Sequence, residues 1–229
     1  DSTVNTNDLE LSSRGSAIRG ILGLSKDFSF LLNDDLELDL QKITDALDTV
    51  DKKKTCIFGF TWLIYKILTK NKNKEIKKLF QNIDNPFIIH IGGWKKLTDE
   101  SVDKKIFNNT LSNFFNTKPE NIVDFYGITE QLGVVYPDCS EGNKHVPIFA
   151  DILIRDIHNQ KILPYRTPGF IQILCSVPNS YPGISILTDD IGEILGEDGC
   201  PCGRKGKYFL FTKRSEIADP KGCGDTLAI

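Results

Sequence analysis

A hydroxyl and a carboxylate stand side by side in Asp124-Phe125-Tyr126-Gly127-Ile128-Thr129-Glu130, just after an apolar run and a glycine turn. Loops at strand ends of α/β sheets collect ligands, and the pair suits such a place. Thr129 can donate to a phosphate oxygen. Glu130 can ligate Mg²⁺, which takes oxygen ligands and usually bridges substrate phosphates; it equally suits a helix start near the positive end of the dipole. Gly92-Gly93-Trp94-Lys95 follows the apolar run 87–91. Paired glycines accept positive φ and let backbone approach a ligand closely, or simply make a tight strand-to-helix turn. One strand before Tyr126-Gly127, they read as a second loop on the same pocket. Thr188-Asp189-Asp190 closes a β-like run, where an Asp can accept two hydrogen bonds from ribose hydroxyls or sit in a turn hinged on Gly192. Arg214, with Arg204, can neutralise phosphate charge or stand in solvent.

A second constellation is built from cysteines. Cys200-Pro201-Cys202-Gly203 puts two thiolates one residue apart on a Pro-Gly knuckle. Cys139 and His145, spaced C-x5-H on another turn-rich stretch, complete a Cys3His set. That donor set suits tetrahedral Zn²⁺ of the closed, structural kind; a redox pair and a chance grouping are the competing readings. Cys56 and Cys175 sit in apolar runs and read as buried small hydrophobes. Cys223, between Gly222 and Gly224 with Lys221 nearby, reads as a thiolate nucleophile on a tail or as an inert exposed thiol.

These groups need a scaffold, and composition allows one. The chain has 229 residues, 40% hydrophobic and 26% charged, with a net charge of −3. That describes an ordinary globular protein with no global basic field for nucleic acid. No apolar run approaches the roughly 20 residues that span a bilayer, and no signal peptide opens the chain, so a cytoplasmic protein is expected. Without a secretory context the cysteines do not predict a disulfide framework. The chain holds no methionine, and the expectation is that methionines, loops or an N-terminal region of the natural protein are missing from it.

Strands alternating with helices predict a parallel sheet in residues 1–130. Strands are expected over 56–60 (stopped by Gly59), 87–91 and 122–125. Helices are expected over 16–24, 61–68 and 74–80, and from a cap at Asp99 or Ser101 through Phe115. Leu36, Leu38 and Leu40 alternate like a strand, whereas Ile43, Leu47 and Val50 keep helical spacing. Lys52-Lys53-Lys54 reads as a solvated face or a phosphate contact. Residues 131–212 carry short β-like runs at 133–136, 146–155, 169–177, 184–187 and 208–212, which predict an antiparallel β region holding the zinc site. Residues 213–229 form a tail carrying Cys223.

The ordered series Gly92-Gly93-Trp94-Lys95, Tyr126-Gly127-Ile128-Thr129-Glu130, Lys144-His145-Val146-Pro147, Ser180-Tyr181-Pro182, Thr188-Asp189-Asp190-Ile191-Gly192 and Lys221-Gly222-Cys223 resembles the acyl-protein synthetases of bacterial bioluminescence, long-chain fatty acid luciferin-component ligases within the adenylate-forming enzymes. Cys200-Pro201-Cys202-Gly203-Arg204 is instead similar to phenylacetate–coenzyme A ligases of that superfamily, some of which carry a Cys/His zinc site. The resemblance covers most of residues 55–229. It implies an α/β adenylate-forming core, a parallel sheet with flanking helices followed by an antiparallel β region. It implies Gly92, Gly93 and Gly127 beside adenine, Tyr126 stacked on it, Thr129 on the α-phosphate and Glu130 on Mg²⁺. Asp190 would hold the ribose, Arg214 would lie near the phosphates, and Cys223 would accept the acyl group as a thioester.

The implied reaction joins a carboxylic acid, a fatty acid in that family, to ATP as acyl-adenylate and then to a thiol. The acceptor would be a reductase, a carrier protein or coenzyme A. Phe58, Phe60, Trp62, Leu63 and Tyr65 suit an acyl wall or an ordinary core helix. The family's Ser/Thr/Gly phosphate loop has at best a degenerate counterpart in Ser12-Ser13-Arg14-Gly15-Ser16, and no counterpart of the usual C-terminal domain with its catalytic lysine is expected. Two alternatives stand beside the acyl-protein synthetase: an acyl- or aryl-CoA ligase, and a zinc-stabilised binding protein without turnover.

Overall fold

The computed structural model describes residues 13–71, 73–94, 100–131, 133–179 and 181–215. Two compact units meet in sequence at Ile122/Val123.

In the first unit, α1 (Ser13–Leu22) takes in the Ser13-Arg14-Gly15-Ser16 stretch. α2 (Leu40–Thr49) starts at Asp39, whose carboxylate accepts from the Lys42 N–H. Ile43 and Leu47 face inward, as their spacing predicts. The strand expected over Leu36, Leu38 and Leu40 does not form. Asn33 Oδ1 accepts from the N–H groups of Asp35 and Glu37, and Leu36 takes a φ of 60°. This side-chain-closed turn overrides the alternation, leaving Leu38 a lone bridge to Leu32.

β1 (Cys56–Phe60) runs parallel to β2 (Phe87–Ile91), in register from Cys56↔Phe87 to Phe60↔Ile91. Gly59 does not stop β1: it is paired with His90 inside the strand. A Cβ there would meet the Ile64 side chain at 2.8 Å, so the glycine lets the next helix pack closely. Cys56 is exposed, contrary to expectation, because it lies at the strand's first position rather than in its apolar middle.

α3 (Thr61–Lys70) follows β1 directly, and α4 (Lys74–Gln81) is capped by Asn73. α5 (Lys104–Phe115) is capped by Asp103 rather than Ser101; Asp99 lies outside the described residues. Phe107, not Ile106, completes its buried stripe with Leu111, Phe114 and Phe115. These residues join Ile43, Phe80 and Ile88 in one core. Tyr65 stacks on Phe107 at 5.9 Å and belongs to that core, the ordinary use of such a residue.

In the second unit, β3 (Ile122–Tyr126) pairs antiparallel with β4 (Tyr136–Pro137). β5 (Lys144–His145), β6 (Ala150–Arg155), β7 (Gly169–Cys175), β8 (Ser185–Glu197) and β9 (Lys207–Arg214) form a five-stranded antiparallel sheet, ordered β5-β9-β8-β7-β6. Ile152, Ile154, Ile171, Ile173 and Cys175 alternate onto its buried face with Ile194 and Phe209. This strict alternation is the sequence signature of a sheet with one face covered. β8 runs for 13 residues, so Thr188-Asp189-Asp190 lies within a strand and Gly192 is no turn hinge. A Cβ at Gly192 would lie 2.3 Å from the Leu210 carbonyl oxygen and 2.7 Å from Ile171 Cδ1. The glycine is there because neighbouring strands come close.

Candidate functional site

Tyr126, the last residue of β3, is 7% exposed. Its ring stacks on Phe211 at 5.4 Å and meets Phe209 edge-on. Its hydroxyl donates to Asp190 Oδ2 at 2.8 Å. Burial, then the Asp190 charge and hydrogen bond, raises the Tyr126 pKa, so the phenol stays protonated as donor. Asp190 is also shifted upward. Burial is the main cause, with the charges of Asp189 and Glu130 adding to it, while the Tyr126 bond and Arg214 oppose it. Thr188 fixes the backbone here: its hydroxyl donates to the Ile171 carbonyl at 2.7 Å and accepts from the Asp190 N–H at 3.2 Å. Arg214 faces Asp190 in the β8–β9 register, and its guanidinium lies 3.8 Å from Asp189 at the surface.

Thr129-Glu130-Gln131 forms one 3₁₀ turn after β3. Glu130 is exposed and close enough to raise the Asp190 pKa. Thr129 opens the turn, and its side chain lies outside the described part. Gly127 is exposed, with its Cα turned toward the Val134 carbonyl. The second unit therefore gathers Tyr126, Glu130 and Arg214 around the Asp190 carboxylate. Gly92 and Gly93 are in the first unit, at the end of β2, with φ of 84° and 55°; both adopt the left-handed backbone that glycine pairs permit. Lys95, Ser180 and Cys223 lie outside the described residues.

Cys139, His145, Cys200 and Cys202 come together in the second unit, their ligand atoms all within 4.8 Å of one another. Two turns present them. The Cys139 N–H donates to the Asn143 carbonyl, and the Gly142 N–H to the Cys139 carbonyl. The Gly203 N–H donates to the Cys200 carbonyl, with Gly203 at a φ of 84°. The Cys139 and Cys200 sulfurs are 3.8 Å apart, and Cys202 Sγ is 3.3 Å from His145 Nε2. Two thiolates on one tetrahedral zinc, each at about 2.3 Å, stand about 3.8 Å apart, so the residues fit that metal.

Electrostatics within the cluster favour the binding forms of His145 and Cys200, but not of Cys139. Burial and the Arg204 charge lower the His145 pKa, which keeps the imidazole neutral. At Cys200 burial opposes ionisation, but the Asn143 amide, the Cys202 N–H and the neighbouring thiols outweigh it and pull the pKa down. Cys139 is shifted up by burial. A bound cation would reverse that last shift, since a coordinating thiol is deprotonated outright.

Two buried polar residues escape sequence reasoning. Gln131 is buried with both ends of its amide used: Nε2 donates to the Gly183 carbonyl at 3.1 Å, and Oε1 accepts from Tyr136 Oη at 3.1 Å. It anchors the turn that carries Thr129 and Glu130. Lys144 is buried between Asp124 and Asp138. Lys144 lies within a motif and Gln131 next to one, but nothing local shows that either is buried, and Asp124 and Gly183 are 20 and 52 residues away from them in sequence.

The family model described as acyl-protein synthetase, LuxE, matches residues 4–229. Two curated relatives named long-chain-fatty-acid–luciferin-component ligase, from Vibrio harveyi and Aliivibrio fischeri, are 28% and 27% identical over 198 residues. Those matches cover 85% of this chain but 50% and 51% of the relatives, so the chain spans about half their length. The open conformation of 2-hydroxyisobutyryl-CoA ligase, solved with 2-HIB-AMP and CoA, is similar over 90% of this chain and 43% of its own, with TM-score 0.63 and 14% identity. That likeness is one of fold, with a parallel sheet and an antiparallel sheet. No described helix is long and apolar enough to cross a membrane.

Proposed function

The chain belongs to the LuxE acyl-protein synthetase family, and from that premise we propose that it activates a carboxylic acid, a fatty acid in the naming of its relatives, with ATP and passes the acyl group to a thiol. The observation that carries this reading is the gathering of Glu130 and Arg214 about the Tyr126–Asp190 hydrogen bond.

In this reading Tyr126 lies against the adenine, and Gly127 beside it belongs to the same nucleotide site; Gly92 and Gly93 are the first unit's own candidate nucleotide-binding residues. Asp190 accepts from the ribose hydroxyls, exchanging its bond to Tyr126 for bonds to the sugar. Thr129 donates to the α-phosphate, and Arg214 faces the phosphate charge. Glu130 would hold Mg²⁺, which when bound spreads the negative charge of the phosphates.

A carboxylate oxygen of the acid attacks the α-phosphorus of ATP. The α–β anhydride bond breaks and pyrophosphate departs with its electron pair, leaving acyl-adenylate. A thiolate then attacks the acyl carbonyl carbon, the carbon–oxygen bond to the phosphate breaks, and AMP departs. Cys223 is the proposed first acceptor, holding the acyl group as a thioester before a reductase or carrier protein takes it. Coenzyme A is the second candidate acceptor, favoured by Cys200-Pro201-Cys202-Gly203-Arg204. Zinc on Cys139, His145, Cys200 and Cys202 is structural in this reading, four protein ligands leaving no open position for substrate.

Pyrophosphate exchange in the full-length protein with a panel of carboxylic acids tests the proposal. Acid-dependent exchange is expected; its absence with every acid would leave a binding protein and defeat both ligase readings. After incubation with ATP and acid, mass spectrometry should find the acyl adduct on the wild type and lose it in Cys223→Ala. An unchanged adduct in the variant removes Cys223 from the pathway.

A further inference from the structure

Lys144 is a buried cation whose two partners lie on different parts of the second unit. Its side chain is 7% exposed, and Nζ lies 2.9 Å from Asp124 Oδ2 and 2.9 Å from Asp138 Oδ1. Asp124 stands on β3, two residues before Tyr126. Asp138 follows β4, bridges to Lys144, and donates its N–H to the Asp124 carbonyl at 3.0 Å. An apolar side chain would fill such a space as stably, since desolvation offsets much of the attraction in a buried ion pair. What the ions add is a defined geometry, and their positions say for what.

Asp138 immediately precedes Cys139, and Lys144 immediately precedes His145. Each end of the ion triad on this hairpin is therefore one residue from a member of the metal-ligand set. The turn between them is closed by the Cys139 N–H on the Asn143 carbonyl at 2.9 Å. A metal held by Cys139 and His145 would fix both arms of the hairpin. Lys144 and Asp138 join those arms to Asp124, and Asp124 sits on the strand that ends in Tyr126.

We propose that Lys144 is a positioning residue that couples occupancy of the Cys139/His145/Cys200/Cys202 metal site to the placement of Tyr126 on β3. The inference rests on the metal-site reading above, and its consequence for ligand affinity rests on the nucleotide reading. Allosteric coupling of this kind changes affinity or protection by roughly 5- to 150-fold.

The test uses the full-length protein with zinc alone as probe, and reads amide hydrogen exchange in a peptide covering residues 122–127, which needs no nucleotide. In the wild type, chelation should speed exchange there by roughly fivefold or more. Asp124→Asn cuts only the β3 end and leaves Lys144 paired with Asp138 beside the ligands. It should keep full zinc content, exchange faster than wild type with zinc bound, and respond to chelation several-fold less than wild type, the backbone bond from Asp138 to the Asp124 carbonyl carrying the remainder. Lys144→Met should behave alike; if it fails to fold, Asp124→Asn decides the matter alone. The proposal is overturned if wild type binds no zinc, if chelation leaves its β3 exchange unchanged, or if Asp124→Asn responds to chelation as wild type does. A merely stabilising Lys144 would give that last result, with the two effects adding. ATP binding, measured in parallel, reports on the nucleotide reading separately. Coupled exchange in a protein that binds no ATP would uphold this inference and defeat the nucleotide reading.

Discussion

Tyr126 Oη and Asp190 Oδ2 lie 2.8 Å apart although 64 residues separate them in sequence. The bond ties the end of β3 to the middle of β8 and holds a partly buried carboxylate that the nearby Asp189 and Glu130 charges disfavour. Tyr126→Phe keeps the ring between its aromatic neighbours and removes only this donor. Losing a hydrogen bond to a charged group at a buried site should destabilise the unit by about 2 kcal/mol, read as a lower urea midpoint with an unchanged slope. A midpoint equal to the wild type's would mean that water replaces the hydroxyl without loss.

Asp190 gives a pH dependence whose sign follows from its shift. Its folded-state pKa lies above the ordinary 3.8, so folding favours the protonated carboxyl. The stability this contributes is full below the unfolded pKa and is lost as pH rises through the folded value. Asp190→Asn mimics the neutral form at every pH. The stability of wild type relative to this variant should therefore decline as pH rises from about 3.5 toward 7, most steeply just above the ordinary carboxylate value. Urea unfolding of both proteins across that range checks it; a difference that grows with pH would place the shift in the opposite direction.

Metal removal offers a third test. The 3.8 Å sulfur separation of Cys139 and Cys200 suits one zinc per chain, to be counted by elemental analysis of protein purified without chelator. A metal present at a hundredfold over its Kd stabilises the fold by about 3 kcal/mol, so chelation should lower the unfolding midpoint of the second unit by at least that equivalent. Cys200→Ser should start at the chelated value and no longer respond to chelator. Substoichiometric metal in the wild type would reject the site.

How much of this was legible beforehand depended on the range of the interaction. β1, β2, β6, β7 and β9 were read from local apolar runs or alternation, because each buries side chains in a repeating pattern. Cys139, His145, Cys200 and Cys202 were readable as a set because donor chemistry and turn residues coincide. β8 was read as four residues instead of 13, since Asp189, Asp190, Gly192 and Gly196 look like turn residues when their neighbours are unseen. The alternation at Leu36 reads as a strand, but the side chain of Asn33 closes a turn there. Lys144 stands in a motif the sequence singles out and Gln131 next to one, yet neither buried role is legible for one reason: nothing local distinguishes a buried, partnered polar side chain from a solvated one.

Gly192 shows the cost of that blindness most directly and supplies the last prediction. Its Cα faces the Leu210 carbonyl of β9 and the Ile171 side chain of β7, leaving 2.3 Å and 2.7 Å to a methyl carbon placed there. Ile171 is fully buried and can yield little, and Leu210 contributes backbone paired with Glu193 in the sheet. Gly192→Ala must therefore spread the β8–β9 pair or shift β8, and overpacking of this kind destabilises by about 1–3 kcal/mol. Asp190 is two residues away on the same strand, so the displacement should also weaken its bond to Tyr126. The variant should show a lower unfolding midpoint with zinc content unchanged, and faster amide exchange over residues 188–194. If β8 served only as a turn at this point, alanine would be accommodated without loss. A variant as stable as wild type would return Gly192 to that role.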